Sequence, residues 1–580
     1  MRCLQSFVLV VAGLAAPVAA QWLDNDPATT HPERLCVKLV EGSGAEWRDG
    51  ALHSRTATDL SSVAALLEGV ETAPLVTAVP WDELDRWHRQ ACAVLPPHNR
   101  PGHLGLWFRV TAPTAPAAAE LIGRLRANPL VREAYFEPKL SPASAGVALP
   151  VPGDIPPTTP LMTHLQGSHQ PSPLGHGAKA TAGILGARGQ GLRMVMIEQS
   201  WILDHEDMSQ LVAANFVGGV APLDMQYAQH GTSGASMVCA DRNGYGLTGI
   251  ADETEMRFIG LTLHGNIDNS IALAVANTVP GDILLAVLIV PCPVLGPDGW
   301  VPIEYFTSTF DAMLTATALG RHVVAAGGNG NVSLDDPVFL NVFNRTFRDS
   351  GAVLVGASEG GPLVRASYSN WGSRLDAHSW GENVAACGYN SFFYPNNDNR
   401  QSYTDGAGGT SASTPLVAGV VASILGAAKR QLGQPLTNAQ LLSLLHTHGP
   451  ITPDVIGRRT DLVAALTAIG AIDGLTTTTP DLQLGQAMSV TIGGAPGTLA
   501  GLFLAFATAN VEVGLNRRAH IDPAQAISAG GFTLTAGGAT WTLVVPNNSA
   551  LHGLDCYFQA VRLPPSGVMN LTNSCQVTIL

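Results

Sequence analysis

Between residues 166 and 472 the chain alternates short aliphatic runs with stretches of helical spacing. Residues 192–197, 256–261, 283–290, 322–326 and 352–355 are β-branched or aliphatic with little polar interruption. Strands that are apolar on both faces suit a parallel sheet covered on both sides. The segments between and after them, including 270–276, 310–319 and 414–432, space their apolar residues as helices do. The expected fold class is therefore α/β, a mostly parallel sheet flanked by helices. Ahead of it, residues 35–40 and 131–136 read as strands and 117–127 as a helix, giving a small α+β unit within residues 21–140. Behind it, across residues 473–580, the chain turns to Thr, Gly and Val with alternating segments at 487–492, 532–534 and 541–545, which predicts a β-rich C-terminal domain.

The first 20 residues differ in kind: Arg2, an apolar run over 7–16, then Val18-Ala19-Ala20 before Gln21. This is the pattern of a cleaved secretory signal, and the run is short for a bilayer span. Export is the expectation, leaving the protein extracellular or at the cell surface. The most apolar later run, 282–295, is broken by Pro291 and Pro293, so no membrane-spanning segment is expected. Residues 141–165 form a Pro-rich linker, with Leu149-Pro150-Val151-Pro152-Gly153 and Pro156-Pro157-Thr158-Thr159-Pro160, of the extended kind that proteases cut.

Composition narrows the function classes. With 46% hydrophobic and 13% charged residues in 580, the chain has material for a large core. A net charge of −14 and only four lysines, Lys38, Lys139, Lys179 and Lys429, argue against nucleic acid as the main partner and against a polybasic membrane patch. Seven cysteines follow the signal, an odd number without a C-x-x-C pair for zinc. Cys36 with Cys92, and Cys556 with Cys575, are local pairs that export would permit, and at least one thiol is left over.

Three polar residues have settings that suit chemistry. Ser411 lies in Gly408-Gly409-Thr410-Ser411-Ala412-Ser413-Thr414-Pro415, at the start of an apolar helix, where backbone N–H groups favour a developing oxyanion. His230 opens His230-Gly231-Thr232-Ser233-Gly234, and Gly231 leaves room for a substrate backbone to approach. Asn329 sits where the run 323–326 enters Gly327-Gly328-Asn329-Gly330-Asn331, with a side-chain amide to offer as a donor. Each alone has an ordinary explanation: a helix cap, a structural histidine, a turn residue.

In this order, and with Ser367-Tyr368-Ser369-Asn370-Trp371-Gly372 between them, these motifs closely resemble the subtilisin-like serine proteases, the peptidase S8 or subtilase family. The order differs from those of chymotrypsin-like proteases and α/β-hydrolases. The resemblance implies a subtilisin-like peptidase domain over residues 166–472 and a secreted serine endopeptidase made as a zymogen. His230 would be the general base for Ser411 and Asn329 the oxyanion donor. It implies polypeptide substrates, and an N-terminal pro-region that assists folding and inhibits the enzyme until the linker is cut. The alternative is that residues 30–140 are a permanent binding domain. No cofactor is required for such chemistry, and calcium, common in the family, has no ligands assigned here.

The departure is at the acid. Where the family carries Asp at the end of an apolar strand, this chain reads Met194-Val195-Met196-Ile197-Glu198-Gln199-Ser200, followed by His205-Glu206-Asp207-Met208. Aligned without a gap on the second segment, Glu198 takes the acid position. Shifted by two residues, which preserves side-chain direction along a strand, the position falls to Met196 and the relay has no acid. The first register is an enzyme with Glu in place of Asp; the second is an impaired protease or a pseudoprotease serving as an extracellular binding or scaffold protein. His205-Glu206 is followed by Ser209 rather than a second His, so the H-E-x-x-H zinc pattern is not met.

Overall fold

A computed structural model describes residues 27–142 and 175–579, apart from 244, 297–298, 360–362, 478–480, 514 and 516–517. The expected signal and residues 143–165 of the linker lie outside the described residues. The N-terminal unit is built on β1 (Thr30–Leu39), with β2 (Glu71–Pro74), β3 (Trp107–Thr111) and β4 (Val131–Pro138) in an antiparallel sheet of order β2–β3–β1–β4, in which β1 pairs with β3 and β4 and β2 pairs with β3. Helices α1 (Trp81–Val94) and α2 (Ala115–Ala127) belong to the same unit. The Thr114 hydroxyl caps α2 by accepting from the Ala117 N–H at 3.3 Å, and Leu121, Ile122 and Leu125 then close one face of the sheet.

Next comes a two-residue strand, β5 (Ser141–Pro142), at what was expected to be the start of the linker. The central domain then supplies β6 (Arg193–Glu198), β7 (Glu255–Gly260), β8 (Ile283–Ala286), β9 (Leu288–Pro291), β10 (Trp300–Pro302), β11 (His322–Ala326), β12 (Val353–Ser358), β13 (Ala377–Trp380) and β14 (Arg458–Arg459). Seven of these make a wholly parallel sheet in the order β14–β13–β12–β11–β8–β6–β7. Its strands bury both faces. Met194 and Met196 of β6 enter the core formed with α3 (Met225–Cys239) and α6 (Thr410–Ala427), while Val195 and Ile197 enter the core of α4 (Ile267–Ala276) and α5 (Thr307–Ala318). The residues 283–290, expected as one strand, divide at Val287. β8 stays in the parallel sheet, and β9 leaves it to pair antiparallel with β10 on one edge and β5 on the other. Helix α6 runs on to Leu432 as an apolar segment of mean hydropathy 1.6, long enough to cross a membrane, yet its apolar window is entirely buried in protein.

Both terminal units share cores with the central domain. Trp107, Tyr135 and Trp87 of the N-terminal unit join Ile271, Met313 and Val290 in one apolar cluster. Asp311 of α5 anchors this contact: it accepts from Lys38 Nζ at 2.9 Å, the Gly102 N–H at 2.7 Å and Trp107 Nε1 at 3.1 Å. A Cβ at Gly102 would fall 1.6 Å from Lys38 Nζ and 2.4 Å from Asp311 Oδ2, so a side chain there would displace this pair. The C-terminal domain is β-rich as expected, with a five-stranded sheet whose last strand, Asn570–Ile579, docks on the central domain through Leu185 N–H to Ser574 O (3.1 Å) and Gln576 N–H to Gly183 O (2.7 Å).

The two suggested disulfides are not formed; all seven cysteines from Cys36 onward are free. Cys36 faces the central domain while Cys92 lies beside His88, with Sγ 3.6 Å from Nε2. Cys556 pairs in register with Val577, and Cys575 with Phe558, so these two thiols are offset along the ladder. Burial pushes the Cys575 thiol up to about 12 and that of Cys556 to about 11, favouring the protonated forms.

Replacing Asp311 with Ala leaves the buried Lys38 ammonium with only the half-exposed Glu41 at 3.3 Å. The expected cost is about 3 kcal/mol, the lower end for breaking a buried pair, read as a lowered urea midpoint in a Ser411→Ala background. Near the C-terminal domain, burial opposes the Asp252 charge, but Arg242 and Arg188 outweigh it and hold the carboxyl far below its usual range. A depressed folded pKa contributes stability that is complete above the unfolded value of about 4 and is lost as pH falls below it. Asp252→Asn should therefore lower the urea midpoint at pH 7 and flatten its decline between about pH 5 and pH 2, relative to wild type.

Candidate active site

Helix α3 carries His230 on a sequence poor in helix formers, with Gly231, Thr232, Ser233, Gly234 and Ser236 in its middle. Asp224 caps it by accepting the Gln226 N–H at 3.0 Å, and burial against β6 and α6 does the rest. Its glycines serve that packing. A Cβ at Gly231 would stand 2.2 Å from the Ser200 carbonyl oxygen, and one at Gly234 would stand 2.8 Å from Met196 Cε. The expectation that Gly231 opens a path for a substrate backbone is thus replaced: the backbone it admits is the protein's own.

Glu198 ends β6 with its side chain on the α3 side of the sheet. Its Oε1 lies 3.1 Å from His230 Nδ1, within ion-pair distance but off hydrogen-bond alignment. Its Oε2 accepts the Gln199 N–H at 2.9 Å, which holds the longer carboxylate in place. Met196, two residues earlier on the same face, meets Gly234, one helical turn beyond His230. Burial first, and the Glu198 charge second, push the Tyr389 phenol well above its usual value, which puts that ring within reach of the carboxylate's field.

Ser411 is the second residue of α6, behind Gly409, whose φ of 84° turns the chain into the helix. Ser413 ties this turn to the sheet, donating to Gly356 O at 2.6 Å and accepting the Ser379 N–H at 2.7 Å. Pro415 has no N–H to give the Ser411 carbonyl, and its Cγ lies 3.9 Å from where a Cβ at Gly234 would be. The turn after Ser411 therefore faces the turn after His230. Asn329, just past β11, accepts from the Thr410 N–H at 3.1 Å and from the Thr410 hydroxyl at 2.8 Å. Because a backbone N–H only donates, the amide oxygen must face Thr410 and Nδ2 is the opposite end. Thr410 was not singled out from the sequence, although it lies within the Gly-Thr-Ser motif.

The site is buried: Glu198 is 0% exposed, His230 4% and Ser411 6%. Among the described residues, Ser411 Oγ and His230 Nε2 have no hydrogen-bond partner. Buried polar atoms without partners are uncommon, and with His230 Nδ1 three fall on the residues that the motifs select. His205 is structural instead: Nδ1 accepts the Asp207 N–H at 3.3 Å, so Nε2 donates to Ser402 O at 2.9 Å. Asp207 spends its oxygens on Asn243 Nδ2 (2.8 Å) and the Leu247 N–H (2.6 Å), and burial pushes its carboxyl up to about 8. No group of three or more His, Cys, Asp or Glu able to hold a metal occurs among those residues.

Comparison with known proteins agrees with the order of these motifs. Residues 205–450 match the family model described as Peptidase_S8, subtilase family, a span that includes His230, Asn329 and Ser411 and begins after Glu198. Over those residues the chain is similar to the peptidase domains of the subtilase family. Similar solved structures include a serine-to-alanine mutant of the protease domain of PatA, at 18% identity over 48% of this chain and 95% of that one, with a TM-score of 0.35. A lanthipeptide protease is similar at 16% identity over 54% of this chain and 99% of that one, with a TM-score of 0.38. No curated protein matches the chain.

Gly231→Ala should drive its new methyl into the Ser200 carbonyl and shift the loop behind Glu198. A loss of about 1–3 kcal/mol is expected, measured as a drop in thermal midpoint, whereas Gly42→Ala, where a Cβ meets nothing within 4 Å, tests only the positive-φ cost of about 1 kcal/mol.

Proposed function

We propose that the chain is an exported serine endopeptidase in which Glu198, His230 and Ser411 form the relay and Asn329 supplies the oxyanion donor. The observation that carries this reading is the 3.1 Å approach of Glu198 Oε1 to His230 Nδ1, with Met196 a full turn away. In the proposed reaction Ser411 Oγ attacks a peptide carbonyl while His230 Nε2 takes its proton. Glu198 holds the Nδ1–H tautomer and stabilises the imidazolium, and Asn329 Nδ2 donates to the tetrahedral oxyanion. His230 then returns the proton to the leaving amine, and water repeats the sequence on the acyl-enzyme. Modest alignment of Nδ1 with Oε1 is usual without substrate, since such bonds tighten in the complex.

Residues 21–140 are read as a pro-region and the linker as the place of processing. The contact of that unit with α4 and α5, and its delivery of Ser141–Pro142 to the β9 edge, support an inhibitory role. Export is read from the first 20 residues alone. A secreted protein that keeps its N-terminus at Gln21 contradicts the processing.

The test is hydrolysis of unfolded casein by purified protein. Ser411→Ala should abolish it, Asn329→Ala should lower kcat by about 10²–10³, and Glu198→Gln by about 10³–10⁴. Met196→Asp should bring no gain. A gain in Met196→Asp with Glu198→Gln unchanged overturns the Glu198 assignment. Failure of a fluorophosphonate to label folded, processed protein overturns the enzyme and leaves the pseudoprotease reading.

A further inference from the structure

We infer that the pocket for the side chain on the acyl side of the cleaved bond is closed by Ile289 and Trp300, so that the site cuts after small residues, Gly, Ala or Ser. This rests on Ser411, His230 and Asn329 being the reacting groups, and it adds the class of substrate they accept.

Strand alternation places the two residues. Along β8 and β9, Ile283, Leu285 and Val287 belong to the core that contains α3 and α6, while Leu284, Ala286, Leu288 and Val290 belong to the core of α4 and α5. Ile289 therefore stands on the α3 and α6 side of the sheet, the side of His230 and Ser411. Ala326 follows the same rule in β11, after Val324. Ile289 and Ala326, both buried, form a cluster of their own, against which the half-buried Trp300 packs.

That cluster lies beside the turn that bears Asn329. Asn370 clamps Trp300 to this turn: its Nδ2 donates to Trp300 O at 2.8 Å and Gly327 O at 2.9 Å, and its Oδ1 accepts the Gly330 N–H at 3.0 Å and the Val332 N–H at 3.2 Å. A Cβ at Gly330 would lie 2.7 Å from Trp300 N, and one at Gly328 would lie 2.6 Å from Trp300 O. A scissile carbonyl directed at Asn329 Nδ2 and Ser411 Oγ must send its side chain into the space next to residues 327–329, where Ile289 and Trp300 already stand. The same edge takes extended polypeptide, since Ser141 pairs with Ile289 and Pro142 with Leu288. The next rung, Val287, is level with Glu198 and Ala326, because Ala286 is in register with Ile197 and Ala325. A polypeptide on this ladder thus reaches the reacting groups two positions after the one facing Ile289.

The experiment compares kcat/KM of the processed protein on chromogenic anilides Ala-Ala-Pro-X, with X as Ala, Leu or Phe, alongside fluorophosphonate labelling. Wild type should favour Ala over Phe by about 100-fold or more. Ile289→Ala and Trp300→Ala should each raise the Phe-to-Ala ratio at least about 10-fold, with labelling of Ser411 retained. Labelled wild type that cuts after Phe as readily as after Ala overturns the closed pocket and leaves the catalytic reading standing. Labelled variants with an unchanged ratio also overturn it. Neither labelling nor cleavage in wild type overturns the catalytic reading, and this inference with it.

Discussion

The line along which three parallel strands stop is the constraint on which the site depends. Ile197, Ala286 and Ala325 are hydrogen-bonded neighbours in register, so Glu198, Val287 and Ala326 all stand one residue further, at the sheet's C-terminal edge. Ligand sites of open α/β sheets form at that edge, where strands release their chains into loops. Here the edge sets the level of the carboxylate, the polypeptide-pairing strand and the turn with Asn329 at once. A shift of β6 by one residue would send Glu198 to the opposite face, toward α4 and α5, and away from His230.

The helices on the other side of that edge are positioned by small residues rather than by strong helix formers. Gly231 and Gly234 let α3 settle on Ser200 and Met196, and Ser413 ties the start of α6 to β12 and β13. Two buried helices then face each other through the turns that follow His230 and Ser411, where a Cβ at Gly234 would lie 3.9 Å from Pro415 Cγ. Thr410 fixes the Asn329 amide from the same turn that presents Ser411, so these two side chains move together. The N-terminal unit closes the opposite face, and its Lys38 charge is tolerated there because Asp311 meets it directly and is itself held by Gly102 and Trp107.

Much of this was legible in the chain. Apolar runs marked β6, β7, β8, β11 and β12 because strands buried on both faces must be apolar throughout. The Gly-Thr-Ser and Gly-Gly-Asn-Gly segments marked Ser411 and Asn329 because a tight turn before a helix, or after a strand, needs glycine. Other features had no such mark. Helix α3 lacks helical propensity, so its existence is a tertiary effect. The break at Val287 is invisible in a continuous aliphatic run, because it reflects where the neighbouring strands end rather than any residue in the run. Cys556 and Cys575, near each other in sequence, are kept unbonded by a register that only the ladder defines.

By itself the sequence determined the α/β class and the β-rich tail, since these follow from periodicity, and it singled out Ser411, His230 and Asn329 as candidates through the order of their motifs. It put Glu198 at the acid position only by a gapless alignment, with Met196 as the alternative, because both lie on one face of the same strand and periodicity cannot tell one rung from the next. In the tertiary structure the height of α3 on the sheet sets His230 opposite Glu198 and Gly234 opposite Met196. That height is decided by long-range packing of glycines against backbone and sulfur, contacts that no local pattern of residues records.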